Sequence, residues 1–88
     1  MKILKFGAVW CKECLVMRPR WEEIETEIPD LKTEYYDADD SPGIVKKYKA
    51  DKIPIFIFLD KNNQEILRLQ GIQDKDKLIE LIKENIDK

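Results

Sequence analysis

The spacing of apolar residues changes once near the start of the chain, and this change separates a strand from a helix. The segment Ile3–Phe6 is short, mostly apolar and followed by Gly7, which predicts a buried strand that ends in a turn. Beyond Cys14 the apolar residues recur at intervals of four, three and four, so they fall on one face of a helix. These residues are Met17, Trp21, Ile24 and Ile28. Pro19 lies inside this helix and lacks a backbone donor, so we expect a kink there.

The middle of the chain predicts a short helix between two strands. Thr33–Ala38 carries two tyrosines and runs into an acidic turn, as expected of a strand. Ser41 and Pro42 form a typical helix start, in which the serine hydroxyl caps free backbone donors and the proline takes the first helical position. Ile55–Leu59 is a continuous β-branched and aromatic run, which favours a strand buried on both faces.

The last third of the chain predicts a hairpin and a final helix. Asp60–Asn63 is typical of a hairpin turn and leads into Glu65–Leu69, where polar and apolar residues partly alternate. Asp74 is a good N-cap for a helix that carries one broad apolar stripe. The stripe consists of Leu78, Ile79, Leu81, Ile82 and Ile86. The order of the elements is therefore β-α-β-α-β-β-α.

This order predicts an α/β fold built on one mixed sheet. A strand that is joined to the next by a helix pairs with it in parallel through a right-handed crossover, and the later hairpin adds an antiparallel edge. We therefore expect a four-stranded mixed sheet flanked by three helices, with helices on both faces. The chain has 88 residues and no internal repeat or linker, so it should form a single domain over residues 1–88.

Composition and charge narrow the possible functions. Hydrophobic residues make up 43% of the chain and charged residues 39%, which excludes disordered and collagen-like classes. A net charge of -2 gives no field strong enough to hold a nucleic-acid backbone. The longest apolar run, Ile53–Leu59, falls far short of the roughly 20 residues that a membrane helix needs. Lys2 and Lys5 interrupt the apolar start of the chain, so no secretory signal is predicted and we expect a cytoplasmic protein.

The only two cysteines, Cys11 and Cys14, lie three residues apart where the first strand gives way to a helix. Helix N-termini carry unpaired donors and a positive partial charge that stabilise a thiolate, and such motifs lower thiol pKa values to roughly 3.5–7.5. Cys11 is therefore the candidate nucleophile. Its thiolate attacks a substrate disulfide, after which Cys14, expected deeper in the first turn, displaces the product and closes an intramolecular disulfide. Lys12 and Glu13 place opposite charges between the cysteines and could modulate this chemistry with no predictable sign.

The same cysteine spacing also supplies half of a zinc site. The chain has no histidine and no further cysteine, so a four-ligand site would need a second chain or a pair of carboxylates. Redox chemistry is therefore the favoured interpretation.

The residues around this motif resemble the thioredoxin family, and the resemblance covers nearly the whole chain. Trp10 precedes the first cysteine, Pro19 lies five residues after the second, and Gly71 follows the last strand. Ile53 and Pro54 match the family's cis-proline position. The resemblance implies a thioredoxin-like fold in which Pro54 lies against the cysteine pair, the backbone of Ile53 pairs with the substrate's extended chain, and Trp10 shapes the docking surface.

The chain departs from the family pattern at Lys5 and at its start. Thioredoxins usually carry a buried acid at the position of Lys5, six residues before Cys11, and they begin with an extra strand and helix that are not found here. We expect the Lys5 amine to reach solvent across the face that this difference leaves open. Alternatively, Lys5 pairs with Asp37 or Glu34 on the neighbouring strand, stabilises a thiolate by its charge, or acts as a base.

The leading hypothesis is a thiol-disulfide oxidoreductase that reduces protein disulfides through Cys11 and Cys14. We expect a monomer that needs no bound cofactor beyond its redox-active disulfide and takes electrons from a separate reductase. Neither nucleic acid nor a membrane is an expected partner. The alternatives are a non-catalytic binding module on the thioredoxin fold, a thiol metal carrier, and an enzyme that works in the other direction as a protein disulfide oxidant or isomerase.

Overall fold

The computed structural model describes residues 1–88 and contains four strands and three helices in the predicted order. The strands are β1 (Lys2–Gly7), β2 (Lys32–Asp37), β3 (Ile55–Leu59) and β4 (Glu65–Gln70), and the helices are α1 (Lys12–Glu27), α2 (Pro42–Tyr48) and α3 (Lys75–Asn85). None of these helices is long and apolar enough to cross a bilayer.

The four strands form one mixed sheet in the order β2-β1-β3-β4. β1 pairs with β2 in parallel, whereas β1 with β3 and β3 with β4 are antiparallel. The predicted fold class, with its parallel crossover and antiparallel hairpin, is therefore confirmed. In this register Lys5 on β1 lies between Tyr35 on β2 and Phe56 on β3, so these three residues share one face of the sheet.

The core consists of two layers, one on each face of the sheet. The layer under α1 and α3 contains Ile3, Met17, Trp21, Ile24, Phe56, Phe58, Leu78 and Ile82. The opposite layer contains Leu4, Phe6, Ala50, Ile55, Ile57 and Leu59, and α2 covers it with Ile44, Val45 and Tyr48. Successive residues of a strand point to opposite faces, so β3 contributes to both layers and all five of its residues are buried. This burial explains why the sequence of β3 is apolar throughout.

The helix ends follow the predictions in one case and differ in another. Asp74 caps α3, since its carboxylate accepts a hydrogen bond from the Lys77 amide. The predicted hydroxyl cap at Ser41 is wrong, because the Ser41 side chain makes no capping hydrogen bond to α2. The backbone of Ser41 (φ -130°, ψ 55°) departs from the extended conformation of a typical N-cap, which Asp74 does adopt (φ -69°, ψ 136°).

Candidate active site

The two cysteines lie where the carboxyl end of β1 turns into α1. Cys11 is the N-cap of α1, with an extended backbone at φ -85° and ψ 111°. Its sulfur accepts a hydrogen bond from the Cys14 amide at 3.2 Å, and the two sulfurs are joined in a disulfide across a Cα–Cα distance of 5.2 Å. Because an N-cap sulfur faces the free amides of the first turn, a negative charge on Cys11 is stabilised there.

The two cysteines differ in exposure in a way that the sequence did not indicate. We expected Cys14 to lie deeper in the first turn, but Cys11 is the more buried residue, at 7% exposure, and Cys14 is only half-buried. Cys14 also lines a cavity of about 400 Å³ between α1, β1 and β2. The second cysteine is therefore accessible from this cavity.

The side chain of Trp10 is held in place although it is 65% exposed. Its indole nitrogen donates a hydrogen bond of 2.8 Å to the carboxylate of Asp39, in the turn that follows β2. The Asp39 amide in turn donates to the Asp37 carboxylate at 2.9 Å. Asp39 is a candidate site residue that our sequence reasoning missed, because it treated these acidic residues only as a turn. The available signal was the parallel pairing of β1 and β2, which brings their carboxyl ends to the same edge of the sheet.

The loop before β3 brings a third segment to the cysteines. The peptide bond between Ile53 and Pro54 is cis, and Pro54 lines the same cavity as Cys14. The Pro54 carbonyl accepts a hydrogen bond of 2.8 Å from the amide of Gly71, which has a left-handed backbone (φ 84°) that suits glycine. Neither the amide nor the carbonyl of Ile53 takes part in a backbone hydrogen bond, so both are free to pair with another chain.

Lys5 points into the cavity, and both of our expectations for its surroundings are wrong. Its side chain is only 14% exposed, and its amine lies 2.7 Å from the carboxylate of Glu25 on α1. The amine also lies 5.5 Å from the ring centroid of Trp21, a cation–π distance. The predicted partner Glu34 instead contacts Lys2 and Tyr36. Strand alternation explains this, because Lys5 faces α1 together with Tyr35, whereas Glu34 faces the other side.

The remaining predicted site residues, Lys12 and Glu13, are both exposed at the start of α1. Neither side chain forms a salt bridge in this structure, so their charges face solvent beside the cysteines. The structure contains no cluster of three or more histidine, cysteine or acidic residues placed to hold a metal ion.

A disulfide at a helix N-terminus, next to a proline loop and an exposed tryptophan on a mixed sheet, defines a class of small dithiol-disulfide proteins. Comparison with known proteins makes the class specific: the thioredoxin family model matches residues 1–84. The chain is 36% identical over 80 residues to thioredoxin from Chlamydia trachomatis, covering 91% of this chain and 78% of that protein. It is also 38% identical over 74 residues to Thioredoxin H5 of rice (Oryza sativa), covering 84% of this chain and 54% of that protein, so it spans about half the length of the rice relative.

Solved structures agree with these sequence matches. Thioredoxin from Fasciola hepatica superimposes with a TM-score of 0.86 at 30% identity, covering 96% of this chain and 79% of that one. Thioredoxin 1 from Thermosipho africanus gives a TM-score of 0.84 at 26% identity, covering 99% of this chain and 96% of that one. The chain therefore belongs to the thioredoxin family, and with its Cys11–Cys14 disulfide it is a thiol-disulfide oxidoreductase.

Proposed function

We propose that this protein reduces disulfide bonds in protein substrates, with Cys11 as the attacking thiol and Cys14 as the resolving thiol. The observation that carries the proposal is the N-cap position of Cys11, whose sulfur already accepts the Cys14 amide in the disulfide state. When the disulfide is reduced, the same amide and the positive end of α1 stabilise a thiolate on Cys11. Cys14 lies within the first turn and has no equivalent capping donor.

The reaction proceeds in two exchanges. The Cys11 thiolate attacks one sulfur of the substrate disulfide, forming a mixed disulfide and releasing the other substrate sulfur as a thiolate. The Cys14 thiolate then attacks the Cys11 sulfur, which closes the intramolecular disulfide and releases the second substrate thiolate. Two electrons pass from the protein to the substrate, so no bound cofactor is required.

We infer that Ile53, Pro54 and Trp10 hold the substrate beside the cysteines. The free amide and carbonyl of Ile53 support pairing with an extended substrate chain, next to cis Pro54. Trp10, fixed by Asp39, offers an exposed aromatic surface. Backbone pairing requires no particular side chain, so the site suits disulfides in unfolded or flexible segments of many proteins.

The proposed cycle needs a partner that returns electrons to the Cys11–Cys14 disulfide. We propose that a separate reductase supplies them and that the protein works as a monomer in the cytoplasm, where thiols are kept reduced. The similarity to thioredoxins supports a reductase as the electron-donating partner.

The test is to trap the mixed disulfide. With Cys14→Ser the second exchange cannot occur, so we expect covalent complexes with protein substrates that separate only under reducing conditions. Cys11→Ser should form none and should lose disulfide reduction. Complexes formed by Cys11→Ser and not by Cys14→Ser would reverse the assigned roles, an outcome that matters here because Cys14 is the more exposed cysteine.

The direction of exchange is tested on the unmodified protein by equilibrating the cysteine pair with thiol buffers. We expect a reduction potential of roughly -270 mV, as for a reductant of the thioredoxin type. A value of roughly -120 to -180 mV would show that the protein is an oxidant or isomerase and would contradict the proposed reductive function.

A further inference from the structure

The Tyr35 hydroxyl and the sulfur of the resolving cysteine both lie close to Gly7. A methyl group placed on Gly7 would lie 3.0 Å from the Tyr35 hydroxyl oxygen and 3.3 Å from the Cys14 sulfur. Both groups therefore border the space that the glycine leaves open. Both side chains line the same cavity. Tyr35 on β2 and Cys14 in α1 therefore face the same space beside β1.

The hydroxyl is free to act as a donor toward Cys14. It makes no hydrogen bond in this structure, in which the cysteines are joined, whereas the Tyr36 hydroxyl next to it in sequence donates to Glu34. Burial, and next the charge of Asp37, raise the pKa of Tyr35 above its ordinary value of 10.0, against a lowering by Arg18. The hydroxyl therefore keeps its proton at neutral pH. The Lys5 amine on β1 also lines this cavity, but it already donates a hydrogen bond to the Glu25 carboxylate.

We propose that the Tyr35 hydroxyl donates a hydrogen bond to the Cys14 thiolate and thereby promotes the second exchange. This inference rests on the proposed function, in which Cys14 is the resolving thiol. During that step the Cys14 thiol loses its proton to solvent and the thiolate attacks the Cys11 sulfur. The substrate thiolate then leaves, and the tyrosine keeps its own proton throughout. A hydrogen bond to the charged form of a thiol lowers its pKa, so Tyr35 increases the fraction of Cys14 that is ready to attack.

Other charged groups face Cys14 and Tyr35, and they define what the test must hold constant. Lys5 approaches from β1, Asp37 lies on β2 with Tyr35, and the remaining charges come from α1. The charged residues of α1 that line the cavity are Arg18, Glu22 and Glu25. Replacing Tyr35 with phenylalanine removes one hydroxyl and leaves all of these charges in place. A change in pH dependence can then be assigned to the hydroxyl itself.

Removing the hydroxyl should change the rate of the second exchange in opposite directions at low and high pH. Without the donor the pKa of Cys14 rises, so fewer molecules carry the thiolate at neutral pH. The more basic thiolate is, however, the better nucleophile, with a Brønsted coefficient of about 0.4–0.5. For a tenfold loss of thiolate we therefore expect the step to be about threefold slower at neutral pH and about threefold faster on the alkaline side. The two profiles should therefore cross at a pH above the pKa of Cys14 in the original chain.

The experiment follows the reaction of the reduced protein with a chromogenic aromatic disulfide in a stopped-flow instrument. The first chromophore is released when Cys11 attacks, at a rate proportional to reagent concentration. The second is released when Cys14 resolves the mixed disulfide, at a rate independent of it. Tyr35→Phe should leave the first phase unchanged and shift the pH profile of the second phase to higher pH. Tyr36→Phe is the matched control, because it removes a tyrosine hydroxyl from the opposite face of β2 and should leave both phases unchanged.

A second measurement keeps the inference testable whatever the fate of the proposed function. In a Cys11→Ser background, the rate of Cys14 alkylation against pH reports its ionisation directly, and adding Tyr35→Phe should move the midpoint to higher pH. An unchanged midpoint would overturn the proposal, as would a second phase that slows equally at every pH. If the unmodified protein showed no concentration-dependent first phase, the assigned role of Cys11 would be contradicted. The alkylation experiment would still decide the role of Tyr35.

Discussion

Lys5 is an ionisable residue that the fold largely buries, and its surroundings show how this is tolerated. Its amine contacts the Glu25 carboxylate, whose other oxygen accepts a hydrogen bond of 2.9 Å from the Thr33 hydroxyl. The ring of Trp21 lies beneath the amine. A charge removed from water is costly unless it is paired and hydrogen-bonded, and each of these contacts reduces that cost. The pair lies where the resemblance to thioredoxins leads us to expect a buried acid.

The Lys5–Glu25 pair should contribute more to stability than an exposed ion pair of the same chain. In a double-mutant cycle with Lys5→Met and Glu25→Gln, we expect a coupling energy of about 1 kcal/mol, because the amine is mostly shielded from solvent. The Lys2–Glu34 pair is the matched control. Its amine nitrogen and carboxylate oxygen are 3.5 Å apart, and both side chains are more exposed than that of Lys5. Its coupling energy should therefore be about 0.2 kcal/mol.

The unfolding free energies for both cycles come from urea titrations of the oxidised protein. Equal coupling energies in the two cycles would show that burial of Lys5 does not strengthen its ion pair.

The partner of Lys5 illustrates the limit of prediction from sequence at this scale. Alternation along β1 indicates which face Lys5 occupies, but Glu25 lies 20 residues away on a helix. Its arrival depends on the packing of α1 on the sheet.

At the scale of elements, the connections between helices and strands carry specific hydrogen bonds. Arg68 on β4 donates to the Tyr48 carbonyl at 2.9 Å and to the Lys49 carbonyl at 3.4 Å, where α2 ends. The same guanidinium contacts Glu65 at 2.6 Å. Carbonyls at a helix C-terminus lack partners within the helix. Arg68 therefore ties the end of α2 to the edge strand of the sheet.

Replacing Arg68 should destabilise the protein by an amount that depends on pH. At neutral pH we expect Arg68→Ala to lose about 1 kcal/mol of unfolding free energy, because two carbonyls and one carboxylate lose their donor. The hydrogen bond from Arg68 lowers the pKa of Glu65 below its ordinary value of 4.5. A carboxyl with a lowered pKa in the folded state stabilises the fold above its ordinary pKa, and this contribution disappears as the pH falls through the lowered value.

Urea unfolding at several pH values checks this expectation. At neutral pH the unfolding free energy of Glu65→Gln should be about 0.5 kcal/mol lower than that of the original chain. This difference should vanish on acidification well below pH 4.5. Arg68→Lys is the control that keeps the charge but lacks the fork that reaches both carbonyls. If Glu65→Gln still lowered the unfolding free energy in strong acid, the ion pair would be ruled out as the cause.

The elements were predictable because their apolar spacing is regular, and their connections were not. The period of Met17, Trp21 and Ile24 in α1, and the unbroken apolar run of β3, each match the buried faces that form. The N-cap at Asp74 is a local property of the chain and was predicted. The hydrogen bond between Arg68 and the Tyr48 carbonyl joins residues 20 positions apart. The missing side-chain cap at Ser41 depends on a backbone conformation set by the turn before it. Local patterns do not contain this information.

For the whole molecule, β3 is a strand that contributes side chains to both core layers, as β1 also does. Its residues alternate between the layer under α1 and α3 and the layer under α2. Phe56 lies on the face that lines the cavity beside Cys14, whereas Ile57 lies on the opposite face and is completely buried. The chemistry of the site and much of the stability of the fold therefore depend on alternate positions of one strand.

This separation predicts a substitution that changes stability without changing redox chemistry. Ile57→Val removes one buried methylene and should lower the unfolding free energy by about 0.5–1.5 kcal/mol, with Tm falling by about 4–8 °C for each kcal/mol. The reduction potential reflects the difference between the oxidised and reduced folded states. A methylene on the far face is lost equally from both states, so the potential should not move. Ile72→Val, at a position that is 50% exposed, is the matched control and should change neither quantity. Thermal unfolding of both redox forms, with equilibration in thiol buffers, measures the two quantities. A shift in potential for Ile57→Val would show that strain passes through β3 to the cysteines and that the two faces are not independent.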